Sequence, residues 1–236
     1  MRAVVVTGWP RADLDAVGVL TEFGVATVHE ALGRSGYLGT GIRPAWPGIR
    51  VGGTAVTALC WPGDNLMIHA AAEQCRAGDI LVVTTTSPSA DGAFGELLAT
   101  SLTHRGVRGV VTTGGVRDVA ELQAMGFPVF SAAICAQGTV KATAGAVNVP
   151  LSIGGQHISP GDAVIADDDG VVVVPRQGVT GAVAAARARV AKEAATRAAL
   201  AAGELGLDRY GLRAVLAEQG VEYIDYETYL TKMAEL

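Results

Sequence analysis

Residues 91–121, DGAFGELLATSLTHRGVRGVVTTGGVRDVAE, constrain the fold more than any other stretch. Gly92 and Gly95 interrupt the backbone ahead of a helical run in which Leu97, Leu98 and Leu102 share one face. Gly109–Thr113 is short and apolar, as a buried strand is. Gly114-Gly115 is then expected to turn the chain, and Arg117-Asp118 to open a second helix with Glu121 one turn on. Helices alternating with apolar strands indicate an α/β protein with parallel strands, and such sheets hold ligands at the C-terminal ends of their strands. Two features face that end. The helix N-terminus at Gly95–Leu98 offers unpaired N–H groups, which suit an anion. The Arg117 guanidinium stands beside the carboxylates of Asp118 and Glu121, spaced i,i+3 for one helical face. These are the groups needed to hold a carboxylate and a divalent cation together.

The rest of the chain supplies a frame for that stretch. Ala3–Val6 reads as a short strand or arm. Leu14–Phe23 and Val25–Leu32 read as helices parted by Gly24, with Asp13 as a cap for the first and Thr27 near the start of the second. Residues 34–50 are rich in Gly and Pro and read as loop. Val51–Trp61 is a strand, Pro62-Gly63-Asp64-Asn65 a turn into a helix over 65–76, and Ile80–Thr86 an apolar strand of the parallel type. Pro128–Ala133 is a further strand. Residues 147–175 read as hairpins turning at Gly154-Gly155 and Pro160-Gly161-Asp162. A long Ala-rich helix over 179–202, a second over 210–219 and a polar-aromatic tail follow. The expected division is an α/β core with N-terminal helices over 1–176, and a helical extension over 177–236 that packs on the core or on a neighbouring subunit.

The net charge of −5 and the lack of a Lys/Arg stripe argue against nucleic acid as a partner. No run reaches the roughly 18 apolar residues of a membrane span, and MRAVVVTGWP is too short an apolar run for a signal peptide. Cys60, Cys75 and Cys135 are widely spaced and odd in number, which suits free thiols in the cytoplasm rather than a disulfide framework. His29, His69, His104 and His157 show no metal-ligand spacing and read as packed or solvated side chains. Asp167-Asp168-Asp169-Gly170 lacks the alternation of a calcium loop and reads as a solvated turn. Asp64-Asn65 reads first as a helix cap, Glu96 as a first-turn acid, and Lys141 as a surface or substrate-contacting lysine.

Several segments together resemble a known family: VGGTAVTA (51–58), PGDN (62–65), AGDILVV (77–83), GELLA (95–99), RGVRGVVTTGGVRD (105–118), FPVF (127–130), VNVPLSIGG (147–155) and PGDAVIADDDGVVVVP (160–175). The family is that of the divalent-metal-dependent pyruvate aldolases acting on 4-hydroxy-4-methyl-2-oxoglutarate and 4-carboxy-4-hydroxy-2-oxoadipate, with the ribonuclease E inhibitor protein as a non-catalytic relative. An acid, twenty intervening residues and Arg-Asp-x-x-acid mark its catalytic members; here these are Glu96, Arg117-Asp118 and Glu121, with Glu96 where Asp is commoner.

The resemblance implies a sandwich with a central β layer, of the swivelling phosphohistidine-domain type. It also implies trimers or hexamers with active sites shared between subunits. Asp118 is then the direct ligand of Mg²⁺ or Mn²⁺, and Glu96 and Glu121 hold the ion through water. Arg117 contacts substrate, Gly95, Glu96, Leu97 and Leu98 cradle its carboxylate, Asn65 and Lys141 also touch it, and Glu193 comes from a neighbouring subunit. The extension LGLDRYGLRAVLAEQGVEYID (205–225) looks more like the enzymes of protocatechuate and gallate breakdown. The implied reaction is a retro-aldol cleavage releasing pyruvate, with oxaloacetate decarboxylation as a side activity. Two alternatives stay open: a protein that binds ribonuclease E, and a Schiff-base aldolase using Lys141.

Overall fold

A computed structural model describes residues 3–234. In chain order the elements are β1 (Val4–Val5), α1 (Leu14–Phe23), α2 (Val25–Ala31), β2 (Arg43–Pro44), β3 (Val51–Cys60), α3 (Leu66–Gln74), β4 (Asp79–Thr85), β5 (Gly92–Phe94), α4 (Glu96–His104), β6 (Gly109–Val116) and α5 (Val119–Ala124). There follow β7 (Val129–Ile134), β8 (Ala146–Val147), β9 (Leu151–Ile153), β10 (Gln156–Ile158), β11 (Ala163–Asp167), β12 (Gly170–Val174), α6 (Val179–Ala201), α7 (Gly206–Arg209), α8 (Leu212–Glu218) and α9 (Tyr226–Ala234).

Strands β3, β4, β6 and β7 lie side by side and parallel, as apolar strands separated by crossover helices must. Around them the sheet is mixed: β8 and β11 run antiparallel to β3, and β2 runs antiparallel to β7. The period of two assigns each residue to a face. Val56, Ala58, Cys60, Leu81, Val83, Val110 and Val129 point toward α3, α4 and α5, where Leu98, Leu102 and Leu122 meet them. Ala55, Leu59, Ile80, Val82, Val111 and Phe130 point the other way, against the β9–β10 and β11–β12 hairpins. The β11–β12 hairpin alternates in turn. Val164, Ala166, Val171 and Val173 face the main sheet, while Ala163, Ile165, Val172 and Val174 face α1, α2 and the start of α6.

Charge also holds this frame together. The Asp79 side chain has no exposed surface and accepts from Arg11 Nε at 2.8 Å, Arg11 Nη2 at 2.9 Å, Thr54 Oγ1 at 2.6 Å and the Arg76 N–H at 2.7 Å. Asp79→Ala strands the Arg11 guanidinium and a buried hydroxyl, so a loss of about 3–5 kcal/mol in denaturant unfolding is expected. A loss below about 1 kcal/mol would show that Arg11 regains water, as an exposed pair does.

Several local expectations need correction. Gly114-Gly115 does not turn the chain: both glycines lie within β6, whose register shifts between Thr112 and Gly115. A Cβ on Gly115 would stand 2.1 Å from the Ala90 carbonyl oxygen, so the glycine serves close backbone approach. The return of the chain as β5, parallel to the end of β6, creates that approach. Thr27 lies near the start of α2, as its position suggests, but the acid that serves this helix start comes from far along the chain: the buried Asp167 accepts from the Val25 N–H at 2.8 Å. Asp168 accepts from the Gly48 N–H at 2.9 Å, so the acidic turn is structural rather than merely solvated. Asp13 caps α1 as its position suggests, accepting from the Asp15 and Ala16 N–H groups.

The chain divides into two compact units, one ending at Arg189 and one beginning at Val190. The second contains the end of α6 with α7, α8 and α9; α9 lies where the sequence suggested a polar-aromatic tail. Among the described residues no helix is long and apolar enough to cross a membrane.

Candidate active site

Three strand ends are laced together at one place. The Arg117 N–H donates to the Phe94 carbonyl at 2.9 Å, the Cys135 N–H to the Val116 carbonyl at 2.9 Å, and the Gly92 N–H to the Gln137 carbonyl at 2.8 Å. The segments leaving β5, β6 and β7 therefore start from adjacent points at the C-terminal edge of the sheet. They carry Gly95-Glu96, Arg117-Asp118 and the loop 135–145. The N-terminus of α3, which follows β3, closes the fourth side.

A pocket opens between them. Arg117 and Asp118 line it with Gly95, Leu97 and Leu98 from the start of α4, Asn65 and His69 from the start of α3, and Thr139 and Lys141 from the loop. Seven of the residues singled out in the sequence thus meet in one pocket: Asn65, Gly95, Leu97, Leu98, Arg117, Asp118 and Lys141.

Asp118 does not sit inside a helix. It has φ 57° and ψ 40°, the left-handed region, and α5 starts one residue later. Asp118 and Glu121 therefore do not form the pair on one helical face that their spacing suggested, and Glu121 is exposed. A left-handed non-glycine residue costs about 1–3 kcal/mol and concentrates at functional sites. Here it accompanies a carboxylate turned back toward α4: Asp118 Oδ2 accepts from the Glu96 N–H at 3.1 Å and lies 3.7 Å from Arg117 Nε. A Cβ on Gly95 would stand 2.4 Å from the same oxygen, so only glycine leaves room for it. One of the N–H groups expected to cradle an anion is thus taken by the chain's own Asp118. Those of Leu97 and Leu98, which have no intrahelical acceptor at a helix start, remain.

Glu96 is half-buried and its carboxylate accepts from Thr100 Oγ1 at 3.0 Å. Glu193 lies on α6, in the second unit.

The loop bearing Lys141 is exposed yet tied down. Asp64, 3% exposed, accepts from the N–H groups of Leu66 at 2.8 Å, Ala142 at 2.9 Å and Thr143 at 2.7 Å. Burial alone would raise the Asp64 carboxyl, but these backbone donors outweigh it and hold its pKa below the ordinary value. Val140 exchanges backbone bonds with Gly63 and Asn65, and Trp61 Nε1 donates to the Ala144 carbonyl at 3.1 Å. Gly138 in the same loop passes so close to Arg117 that a Cβ there would stand 3.0 Å from Nη1.

His69 was read from the sequence as a packed or solvated histidine, and the structure places it in the pocket. The available signal was its i+4 spacing from Asn65. Burial, with the Lys141 ammonium adding to it, lowers its pKa, so His69 is neutral at pH 7. Cys60 and Cys75 are buried thiols pushed up to about 12 by that burial, and they contribute no nucleophile.

Comparison with known proteins places this pocket in a family. The model of the RraA-like family, described as Aldolase/RraA, matches residues 25–173, a span that holds every pocket residue named above. A protein of Halalkalibacterium halodurans named "Putative 4-hydroxy-4-methyl-2-oxoglutarate aldolase" is 29% identical over 166 residues, covering 70% of this chain and 79% of its own. The 4-hydroxy-4-methyl-2-oxoglutarate aldolase of Thermus thermophilus is 31% identical over 112 residues, covering 48% of this chain and 68% of its own. The crystal structure of Streptomyces coelicolor RraAS2, described as an unusual member of the RNase ES inhibitor RraA protein family, superposes with a TM-score of 0.73 at 30% identity, over 80% of this chain and 99% of that one. With more than half its length matched and its pocket inside the match, the chain belongs to the RraA-like family of aldolases and RraA proteins.

Proposed function

We propose that the protein is a divalent-metal-dependent aldolase that cleaves 4-carboxy-4-hydroxy-2-oxoadipate, 4-hydroxy-4-methyl-2-oxoglutarate or both, releasing pyruvate. The observation that carries this is the Arg117–Asp118 pair at the end of β6 in a pocket that Lys141 also lines. Two cationic side chains and one carboxylate line the pocket, with His69 neutral. That balance suits a substrate with more than one carboxylate.

The donor set fits a hard cation such as Mg²⁺ or Mn²⁺. Among the described residues no hydrogen bond occupies Asp118 Oδ1, and no group of three His, Cys, Asp or Glu side chains gathers anywhere. With Asp118 the one carboxylate lining the pocket, an ion here would rest on few protein ligands and on water, which Mg²⁺ tolerates. Asp118 would hold it directly, with Glu96 and Glu121 acting at longer range. When bound, such a cation supplies Lewis-acid stabilisation of the negative charge that develops on the C2 oxygen.

The chain's own groups do the rest. Arg117 and the Leu97 and Leu98 N–H groups hold the C1 carboxylate and orient the C3–C4 bond. Lys141 faces the distal carboxylate. As that bond breaks, its electron pair passes to the pyruvate enolate and the C4 hydroxyl proton leaves. Arg117 adds positive charge where the enolate forms. Glu96 is assigned to moving that proton, and Glu193 to a neighbouring subunit's site in a trimer or hexamer.

Pyruvate release from both substrates, read by a coupled assay, tests the proposal. EDTA should stop cleavage and excess Mg²⁺ or Mn²⁺ should restore it. Cleavage that survives EDTA and is trapped by borohydride with pyruvate would instead indicate a Schiff base on Lys141. The likeness to RraAS2 favours a second reading, a regulator that binds ribonuclease E. Binding to that nuclease with no pyruvate from either substrate would establish it.

A further inference from the structure

Two basic side chains in the pocket have no acid to balance them. Lys141 and His69 both line it, and they lie close enough for the ammonium to act on the ring. The His69 side chain is exposed. Among the described residues no carboxylate pairs with Lys141, and neither ring nitrogen of His69 has a hydrogen-bond partner. The acids on the surrounding elements are committed elsewhere. Asp118, after β6, lies beside Arg117 and accepts from the Glu96 N–H. Glu96, opening α4, accepts from Thr100. Asp64, just before α3, holds three backbone N–H groups, and Glu73, one turn on from His69, accepts from Gln74.

The two substrates proposed above differ at one place. Both carry a hydroxyl and a carboxylate at C4. The remaining group there is a methyl in 4-hydroxy-4-methyl-2-oxoglutarate and a carboxymethyl in 4-carboxy-4-hydroxy-2-oxoadipate. The first is a dianion at neutral pH and the second a trianion. Arg117 answers the C1 carboxylate and Lys141 the C4 carboxylate. The dianion then leaves His69 without a partner, whereas the trianion brings it one.

Resting on that function, we infer that His69 binds the carboxymethyl carboxylate and thereby selects the tricarboxylate, 4-carboxy-4-hydroxy-2-oxoadipate, as the substrate. It is a specificity residue and takes no part in breaking the bond. Burial and the Lys141 charge hold the free ring below its ordinary pKa. A carboxylate at the ring favours the charged form, so the trianion binds best with a proton on His69. The preference for the trianion is therefore largest below the pKa of the free ring and fades as pH rises through it.

The test is the ratio of kcat/KM for the tricarboxylate to that for the dicarboxylate, measured from about pH 5.5 to about pH 7.5 in the wild type, His69→Gln and His69→Arg. The wild-type ratio should fall as pH rises. His69→Gln should lower the ratio at the acid end by at least about fivefold and leave it flat with pH. His69→Arg carries a permanent charge and should keep the ratio high across the range. The side chain is exposed, so both variants are expected to fold. Equal losses for both substrates in His69→Gln, or a wild-type ratio that does not change with pH, overturn the inference alone. A wild-type protein that cleaves neither substrate overturns the proposed function, and the inference with it.

Discussion

Asp118→Asn is expected to reduce pyruvate release by at least about a thousandfold, because it removes the anionic oxygen proposed to bind the cation. The same change should leave the fold almost untouched. Asparagine is isosteric and tolerates the left-handed conformation that Asp118 adopts. Its amide oxygen can still accept from the Glu96 N–H, which now bonds Asp118 Oδ2 at 3.1 Å. Losing a negative charge beside the first turn of α5 costs only about 0.3–1 kcal/mol. The measurement pairs kcat at saturating Mg²⁺ with thermal unfolding. An inactive variant that also melts many degrees lower would indicate that Asp118 serves to hold α4 against the end of β6. A folded variant with near-normal kcat would remove Asp118 from the chemistry.

The β framework was legible because it is written in local pattern. Runs such as Val51–Cys60 and Asp79–Thr85 are apolar on both faces, and only strands covered on both sides are so. The pairing of Arg117 with Asp118 at a strand end was legible for the same reason. What the pattern concealed was long-range. Gly114-Gly115 resembles a turn, and only the return of the chain past Ala90 shows why small residues are needed within a strand. The left-handed backbone at Asp118 has no sequence signal in a residue that also suits a helix start. Asp167 reads as a solvated acid until α2, more than a hundred residues earlier in the chain, is found resting its first N–H on it. Nothing in the loop 135–145 announces that Asp64 clamps it, yet that clamp is what brings Lys141 to the pocket. His69 was overlooked because a lone histidine is usually packing, and its neighbours in space come from another part of the chain.

Arg117 should matter to two reactions at once. Its Nε lies 3.7 Å from Asp118 Oδ2, and a Cβ on Gly138 would stand 3.0 Å from its Nη1. A planar guanidinium fork can bond a carboxylate or enolate through two N–H groups at once, as a point-charge ammonium does not. Arg117→Lys is therefore expected to lower kcat/KM for the aldol by at least about tenfold, and Arg117→Ala by more. Oxaloacetate offers the same C1 carboxylate and C2 oxygen. Loss of CO₂ from its C4 leaves the same pyruvate enolate as the retro-aldol does, with the bonding pair passing to C3 in both cases. A residue that stabilises that enolate lowers both barriers. Arg117 variants should thus slow decarboxylation and aldol cleavage by similar factors. Loss of the group that moves the hydroxyl proton should behave differently, since oxaloacetate has no such proton. Glu96→Gln is accordingly expected to slow aldol cleavage more than decarboxylation. The measurement is kcat/KM for both substrates in the wild type and in the Arg117 and Glu96 variants. If the wild type cleaves the aldol yet leaves oxaloacetate at the rate set by free Mg²⁺, the shared enolate does not limit the reaction, and Arg117 has to be assigned to binding alone.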